Sequence, residues 1–365
     1  GGEEEGESMT AHNIFETISS QYFQLTNSEK KVADYVLRHR IDVQYMSISE
    51  LAEECAVADA TISRFCRRLG LAGKLISVPR CITSDCGMAW SAPPELRAQY
   101  GITELCLTYT IDGEPVDISK PFDGHAFYEA MRKGAEVKTS MITPLAAREA
   151  MEPVLDRGDD VLYVGLSGGV SGTCWGVSVV AQELRERYPD RDIRVLDSRG
   201  ASLGEGLIVL EAADMAQKGA DMETIVARAN QLIGKMRQHF MVDDLKFLRK
   251  GGRLSGAAAF AGTLLQIKPI LQGDPEGKIV VLSKERGRKK AMDTLIQLYE
   301  ELVEDKSAPV GISHAAAPAE ALHLATALRQ AGCTGEILSV CHEPVTGAHV
   351  GPGMLALYFY SQTWR

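Results

Sequence analysis

A chain of 365 residues has room for two or three globular domains, and its 45% hydrophobic and 24% charged residues exclude disorder throughout. A formal net charge of -10 excludes a surface coated in basic groups, so any contact with nucleic acid has to be local. No run of about 18 apolar residues predicts a membrane span, and no basic start leads into an apolar core, so the protein is expected in the cytoplasm.

Residues 1–8 are acidic and glycine-rich and cannot bury a core, which predicts a disordered extension. From Met9 to Lys74 the pattern is helical, with apolar side chains three and four apart in Ile14, Ile18, Tyr22 and in Val32, Tyr35, Val36. Thr26-Asn27-Ser28-Glu29 offers a cap before one helix, and Ser47-Ile48-Ser49-Glu50 offers another. Three to five short helices are expected over residues 9–76. After Gly73 the texture changes to β-rich runs such as residues 76–82, which places a domain boundary near residues 74–80.

Beyond it, the continuous apolar run of residues 160–166 predicts a buried parallel strand, and residues 193–197 its neighbour. Helical stretches follow each, around residues 177–187 and 203–218, which predicts a doubly wound sheet. A long helix is expected over residues 222–239, then further strands including residues 278–283 and 310–314. The eight cysteines are scattered without a CxxC pair or a nearby histidine set, so they read as reduced thiols, and no metal or cofactor is expected; Cys81 and Cys86 have no assigned role.

Two segments carry chemistry. Residues 47–70 have the proportions of two helices about a tight turn, with Leu51 and Ala52 on the first and Ile62, Phe65 and Leu69 on the second. That leaves Thr61, Ser63, Arg64, Arg67 and Arg68 outward or at the helix start, where hydroxyls and guanidinium groups reach phosphates and base edges, or form an ordinary solvated face. The strings from Leu25 to Val36, from Met46 to Ala52 and from Ala60 to Gly70 resemble the N-terminal domain of RpiR-family transcription regulators. The resemblance implies DNA binding, and because a single helix-turn-helix buries too little surface for tight recognition, the modules are expected to pair as a homodimer across half-sites. The sugar-isomerase-like domain usual in that family is not apparent downstream.

The second segment is Leu166-Ser167-Gly168-Gly169-Val170-Ser171-Gly172-Thr173, a strand end opening a helix, which offers hydroxyls, backbone N–H groups and a dipole to an anion. Thr139 and Ser140 can add hydroxyls from a neighbouring loop, and His349 an N–H from a glycine-rich one. Each also has a structural reading: Ser171 as a helix cap, Thr139 as a turn hydroxyl, His349 as a loop histidine. Lys138-Thr139-Ser140, this turn, Leu196-Asp197-Ser198 with Gly204 and Gly206, residues 243–255, Ile267-Lys268-Pro269-Ile270-Leu271 and His349-Val350-Gly351-Pro352-Gly353 occur in that order.

Those motifs resemble the DegV family of fatty-acid-binding proteins. The resemblance implies an α/β, two-lobed fold with a doubly wound parallel sheet in the first lobe (residues 79–238), a second lobe over 239–365, and a small all-α helix-turn-helix domain in front. It implies a long-chain fatty acid as ligand, with its carboxylate at Thr139, Ser140, Ser171, Gly172 and His349, and Asp117 near the head group. Arg253 is expected either as a solvated turn residue or as a docking contact, since the family includes subunits that present a fatty acid to a separate kinase. The family's Thr-Asp-Ser after the first strand reads Thr83-Ser84-Asp85 here. Two rival readings stand beside this one. Gly165-Leu166-Ser167-Gly168-Gly169 spells G-x-S-x-G, so Ser167, Asp197 and His349 could form a hydrolase triad. Alternatively, the N-terminal helices are a protein-interaction module of an acyl carrier.

Overall fold

The computed structural model describes residues 18–19, 21–39, 48–68, 80–83, 100–255 and 266–364. The predicted extension at residues 1–8, the cap at Ser47, Leu69, Gly70, the connection at 74–79, Ser84, Asp85 and Cys86 lie outside them, as does the side chain of Cys81. The chain divides into two compact units, Gly1–Val78 with Leu155–Asp159, and Pro79–Val154 with Asp160–Arg365.

The first unit holds a 3-10 turn at Tyr22–Gln24 and helices α1 (Asn27–Arg38), α2 (Ile48–Glu54) and α3 (Asp59–Arg68). Helix α1 starts where expected, because the Thr26 hydroxyl accepts from the Glu29 N–H while the Glu29 carboxylate accepts from the Thr26 N–H. Ile18, Leu25, Val32, Val36, Leu51, Ile62 and Phe65 fill a core at three- and four-residue spacing. The turn from α2 to α3 passes through Ala56 at φ 49°, a left-handed position taken by a residue other than glycine.

The second unit begins with a four-stranded parallel sheet in the order β2-β1-β6-β7 (Thr103–Glu104, Arg80–Thr83, Val161–Gly165, Ile193–Asp197). Every residue of β6 is buried, as its uninterrupted apolar run requires of a central parallel strand. A six-stranded sheet follows, ordered β10-β9-β8-β13-β11-β12: Ile279–Arg286, Ile267–Gly273, Met236–Met241, Leu355–Tyr360, Val310–His314 and Ile337–Cys341. Its pairs are antiparallel except β11 with β12. A small antiparallel sheet, β4-β3-β5 (Glu114–Pro115, Thr108–Ile111, Val137–Ser140), completes the unit.

Helices α4 (Gly124–Arg132), α5 (Pro144–Asp156), α6 (Thr173–Arg187), α7 (Leu203–Gln217), α8 (Met222–Lys235), α9 (Lys246–Lys250), α10 (Arg288–Leu302), α11 (Pro318–Gln330) and α12 (Pro344–Val350) join these strands. Helix α7 touches β1 and β6 of the parallel sheet and β8, β11 and β13 of the larger one, so it is sandwiched between them. Its sequence accounts for this: its apolar residues are spread round the axis with no single apolar stripe, and Leu203, Leu207, Ile208, Val209, Ala212, Ala213 and Ala216 are all buried. Helices α10 and α11 cover the outer face of the six-stranded sheet through Leu295, Tyr299, Leu324 and Leu328.

One element departs from expectation. The helix predicted over residues 222–239 ends at Lys235, and Met236–Met241 is strand β8. Pairing with β13 on one side and β9 on the other outweighs the helical pattern there. The chain therefore enters the second sheet at Met236, inside the stretch assigned to the first lobe.

Candidate functional site

Within the second unit a cavity of about 120 Å³, about 930 Å³ when its mouth is counted, lies among the turn after β6, the loop after β7, the end of β5, the inner face of β8 and β13, and helix α12. Leu107, Met141, Leu166, Val170, Phe240, Val345, Val350 and Ala356 make its walls largely apolar. Thr139 and Ser140, at the close of β5, line the cavity with Ser171 and His349. Thr139 Oγ1 lies 3.0 Å from His349 Nε2, across 210 residues of sequence.

Helix α12 sets that histidine. Its N-cap Glu343 accepts from the N–H groups of Val345 and Thr346 and from the Thr346 hydroxyl. A carboxylate cannot donate, so the Thr346 hydroxyl accepts in turn from His342 Nε2, and His342 Nδ1 accepts from Ser313, which accepts from Tyr358. Burial, with the charge of nearby His314, pushes the His342 pKa down to about 3, which agrees with a neutral ring in this relay. Burial also lowers the His349 pKa to about 4, with Arg253 adding to it, so His349 is neutral near pH 7. Its Nδ1 edge packs on Gly251, where a Cβ would collide.

The turn after β6 is built differently from the anion cradle expected. The N–H groups of Val170 and Ser171 bond the Ser167 carbonyl, that of Gly169 the Ser167 hydroxyl, and that of Gly168 the Asp197 carboxylate. Those donors are engaged within the protein, so a head group here relies on side-chain hydroxyls. Ser171 Oγ accepts from the Thr173 N–H at 3.2 Å and donates to Thr173 Oγ1, so it serves the helix start as well as facing the cavity. Gly172 is the N-cap of α6 and packs on Met141; it does not line the cavity. Asp117 is exposed, its carboxylate accepting from the Ser119 N–H and hydroxyl and pairing with Lys120, and it too stands outside the lining.

Arg253 is half-buried and lines the cavity; it donates to the carbonyls of Val170 and Gly251, strapping the Gly251-Gly252 turn to the turn after β6. Arg199, Gln238, His342, Thr346 and Tyr358 also line the cavity, and no motif in the sequence marked them. The hydrolase triad is not assembled. Ser167 donates to the Gly277 carbonyl at 2.7 Å, Asp197 accepts from the Gly168 and Arg199 N–H groups, and His349 meets Thr139. Gly277, at φ +77°, tolerates no side chain there, because a Cβ would strike the Ser167 hydroxyl.

In the first unit, Thr61 is buried at the start of α3 and accepts from Arg64, which is exposed. Arg68 bonds Glu29 at 3.1 Å and the Gln24 carbonyl, tying α3 to the start of α1. Ser63 and Arg67 lie on α3, with side chains outside the described residues. Among the described residues the cysteines are free thiols, with burial pushing Cys174 up to about 12, and no His, Cys, Asp and Glu group could hold a metal.

The family described as "Uncharacterised protein, DegV family" matches residues 87–362, more than half of the sequence. The chain belongs to the DegV family. A DegV domain-containing protein of Clostridium perfringens is 34% identical over 274 residues, 74% of this chain and 94% of that one. Among solved structures, a DegV-family protein of Thermus thermophilus described for its fatty acid binding superposes with a TM-score of 0.69 at 28% identity, over 77% of this chain and 99% of its own. DegV of Bacillus subtilis, a fatty acid binding protein, gives 0.67 at 29% identity, over 78% and 100%. Residues 12–74 match the helix-turn-helix domain of the rpiR family, so the DegV domain follows a module of that type. A selenium/sulfur-carrier-like match over residues 61–107 overlaps both.

Proposed function

We propose that this DegV-family chain holds a long-chain fatty acid in its cavity and that the N-terminal module, over residues 9–76, binds DNA as a homodimer under control of that ligand. The observation that carries the reading is a largely apolar cavity lined by Thr139, Ser140, Ser171 and His349, with Thr139 and His349 in bonding contact, in a fold whose solved relatives from Thermus thermophilus and Bacillus subtilis are described as binding fatty acid. With the neutral ring protonated at Nε2, His349 donates to Thr139 Oγ1, and the Thr139 hydroxyl proton is left for the ligand carboxylate. Ser140 and Ser171 add hydroxyls, and Arg253 places a positive charge nearby.

Burying about 14 methylenes at roughly 0.8 kcal/mol each gives on the order of 10 kcal/mol before ordering costs, so the tail dominates affinity and the head group sets orientation. We assign the ligand-binding part to lobes of residues 79–238 and 239–365, and the protein to the cytoplasm. No helix among the described residues is long and apolar enough to cross a membrane. Denaturing extraction of protein purified from a bacterial host, followed by mass spectrometry, is expected to release a stoichiometric fatty acid. Protein that neither carries one nor takes one up after delipidation would overturn the reading.

A further inference from the structure

Resting on the fatty-acid reading, we infer that Gln238 is the end stop of the acyl cavity and fixes the longest chain it accepts. The cavity floor is the paired inner face of β8 and β13, where Phe240 stands opposite Ala356 and Gln238 opposite Tyr358. The first pair is apolar, as a methylene chain requires. The second is polar, and its members take no part in the hydroxyl cluster of Thr139, Ser140, Ser171 and His349.

Gln238 is clamped. Its amide oxygen accepts from the Ala201 N–H at 3.0 Å and its amide nitrogen donates to the Arg199 carbonyl at 3.2 Å. A Cβ at Gly200 or Gly204 would run into the same amide, so the side chain is tightly seated. The loop it holds carries non-glycine residues at φ 52° in both Arg199 and Ser202, a conformation kept only where surrounding contacts enforce it. An acyl terminus reaching Gln238 therefore meets a side chain that can yield only by losing both bonds.

A second hollow of about 280 Å³, with Pro275, Leu282, Leu298 and Leu302 in its walls, shares Gln238 and Gly273 with the cavity. That hollow also takes Arg237 and His239 and lies on the face of the sheet that α10 covers, so shortening Gln238 enlarges the acyl cavity by the space its own amide fills.

The test measures affinities of the delipidated full chain for a homologous series of saturated fatty acids. For the native protein, affinity should rise about fourfold per added methylene until the chain reaches Gln238, then level or fall. Gln238→Ala should move that break to chains longer by about two carbons, and the milder Gln238→Asn, which keeps an amide, by about one. Gln238→Met, which keeps the length and loses the hydrogen bonds, should leave the break in place. A break unmoved in both folded Ala and Asn variants would overturn the end-stop assignment while leaving fatty-acid binding intact. Native protein that binds no member of the series would instead overturn the binding reading beneath it.

Discussion

At the scale of single residues, Thr139 and Ser171 differ in what they have left to give. The Thr139 hydroxyl is paired with His349, which can act as donor to it and release its proton to a carboxylate. The Ser171 hydroxyl already accepts from one Thr173 group and lies within bonding distance of the other. Loss of a hydrogen bond to a charged group costs roughly 1.5 to 3 kcal/mol, so Thr139→Val should weaken fatty-acid binding about tenfold to a hundredfold. Ser171→Ala should cost less in affinity and more in thermal stability, because it also removes a bond at the start of α6. Titration of delipidated variants together with their melting curves checks both; equal losses of affinity would place the two hydroxyls on the same footing. His342 and His349 carry a second expectation at this scale. Both have pKa values in the fold, about 3 and about 4, below the 6.5 of an ordinary histidine. The unfolded chain thus binds protons that the folded chain refuses as pH falls below 6.5. Stability from these rings is fully present above that value and is lost progressively toward pH 4, at up to about 1.4 kcal/mol per pH unit for each ring. Denaturant melts of the protein and of His349→Asn across pH 4 to 7 should show a shallower slope in the variant.

At the scale of elements, α3 separates two arginines that look alike in sequence. Arg68 reaches back to Glu29 and the Gln24 carbonyl, whereas Arg64 is exposed and bonds only within its own helix among the described contacts. Arg64→Ala should lower DNA affinity and reduce the slope of log affinity against log salt by about one, with the melting temperature unchanged. Arg68→Ala should mainly loosen α3 from α1, by about 0 to 1 kcal/mol for a half-exposed ion pair. Gel shifts at several salt concentrations, read beside melting curves, would reverse these roles if Arg68 proved the stronger DNA contact. The same contrast shows what a sequence can disclose. Strand β6, a short apolar run, and the Thr26 cap of α1 are set by neighbours within a few residues, and they lie where the pattern puts them. Strand β8 is set by partners more than a hundred residues later in β13, so its local helical pattern misleads. Thr139, Ser140, Ser171 and His349 were found through motifs, but Gln238 and Tyr358 reach the cavity only because β8 and β13 pair in one register. Asp117 was marked by the family resemblance, and its carboxylate turns instead to Ser119 in a local turn.

At the scale of the whole molecule, a helix-turn-helix module and a DegV domain share one chain although neither chemistry needs the other. The economical explanation is linkage: a fatty acid that favours one arrangement of paired chains changes operator affinity, and by reciprocity operator DNA changes fatty-acid affinity by the same factor. Coupling of about 1 to 3 kcal/mol corresponds to about 5-fold to 150-fold in either affinity. The net charge of -10 sharpens the measurement. Outside the module the protein repels DNA, so weak nonspecific binding should contribute little at moderate salt. Operator titrations at one fixed salt concentration, with delipidated and with acyl-loaded protein, should therefore differ by such a factor. Thr139→Val, which loads poorly, should follow the delipidated curve at limiting fatty acid and rejoin the loaded one at high concentration. Curves that coincide in all three states would mean that the two modules work independently, and the reason for their union would then lie with a partner that takes the fatty acid from the DegV domain.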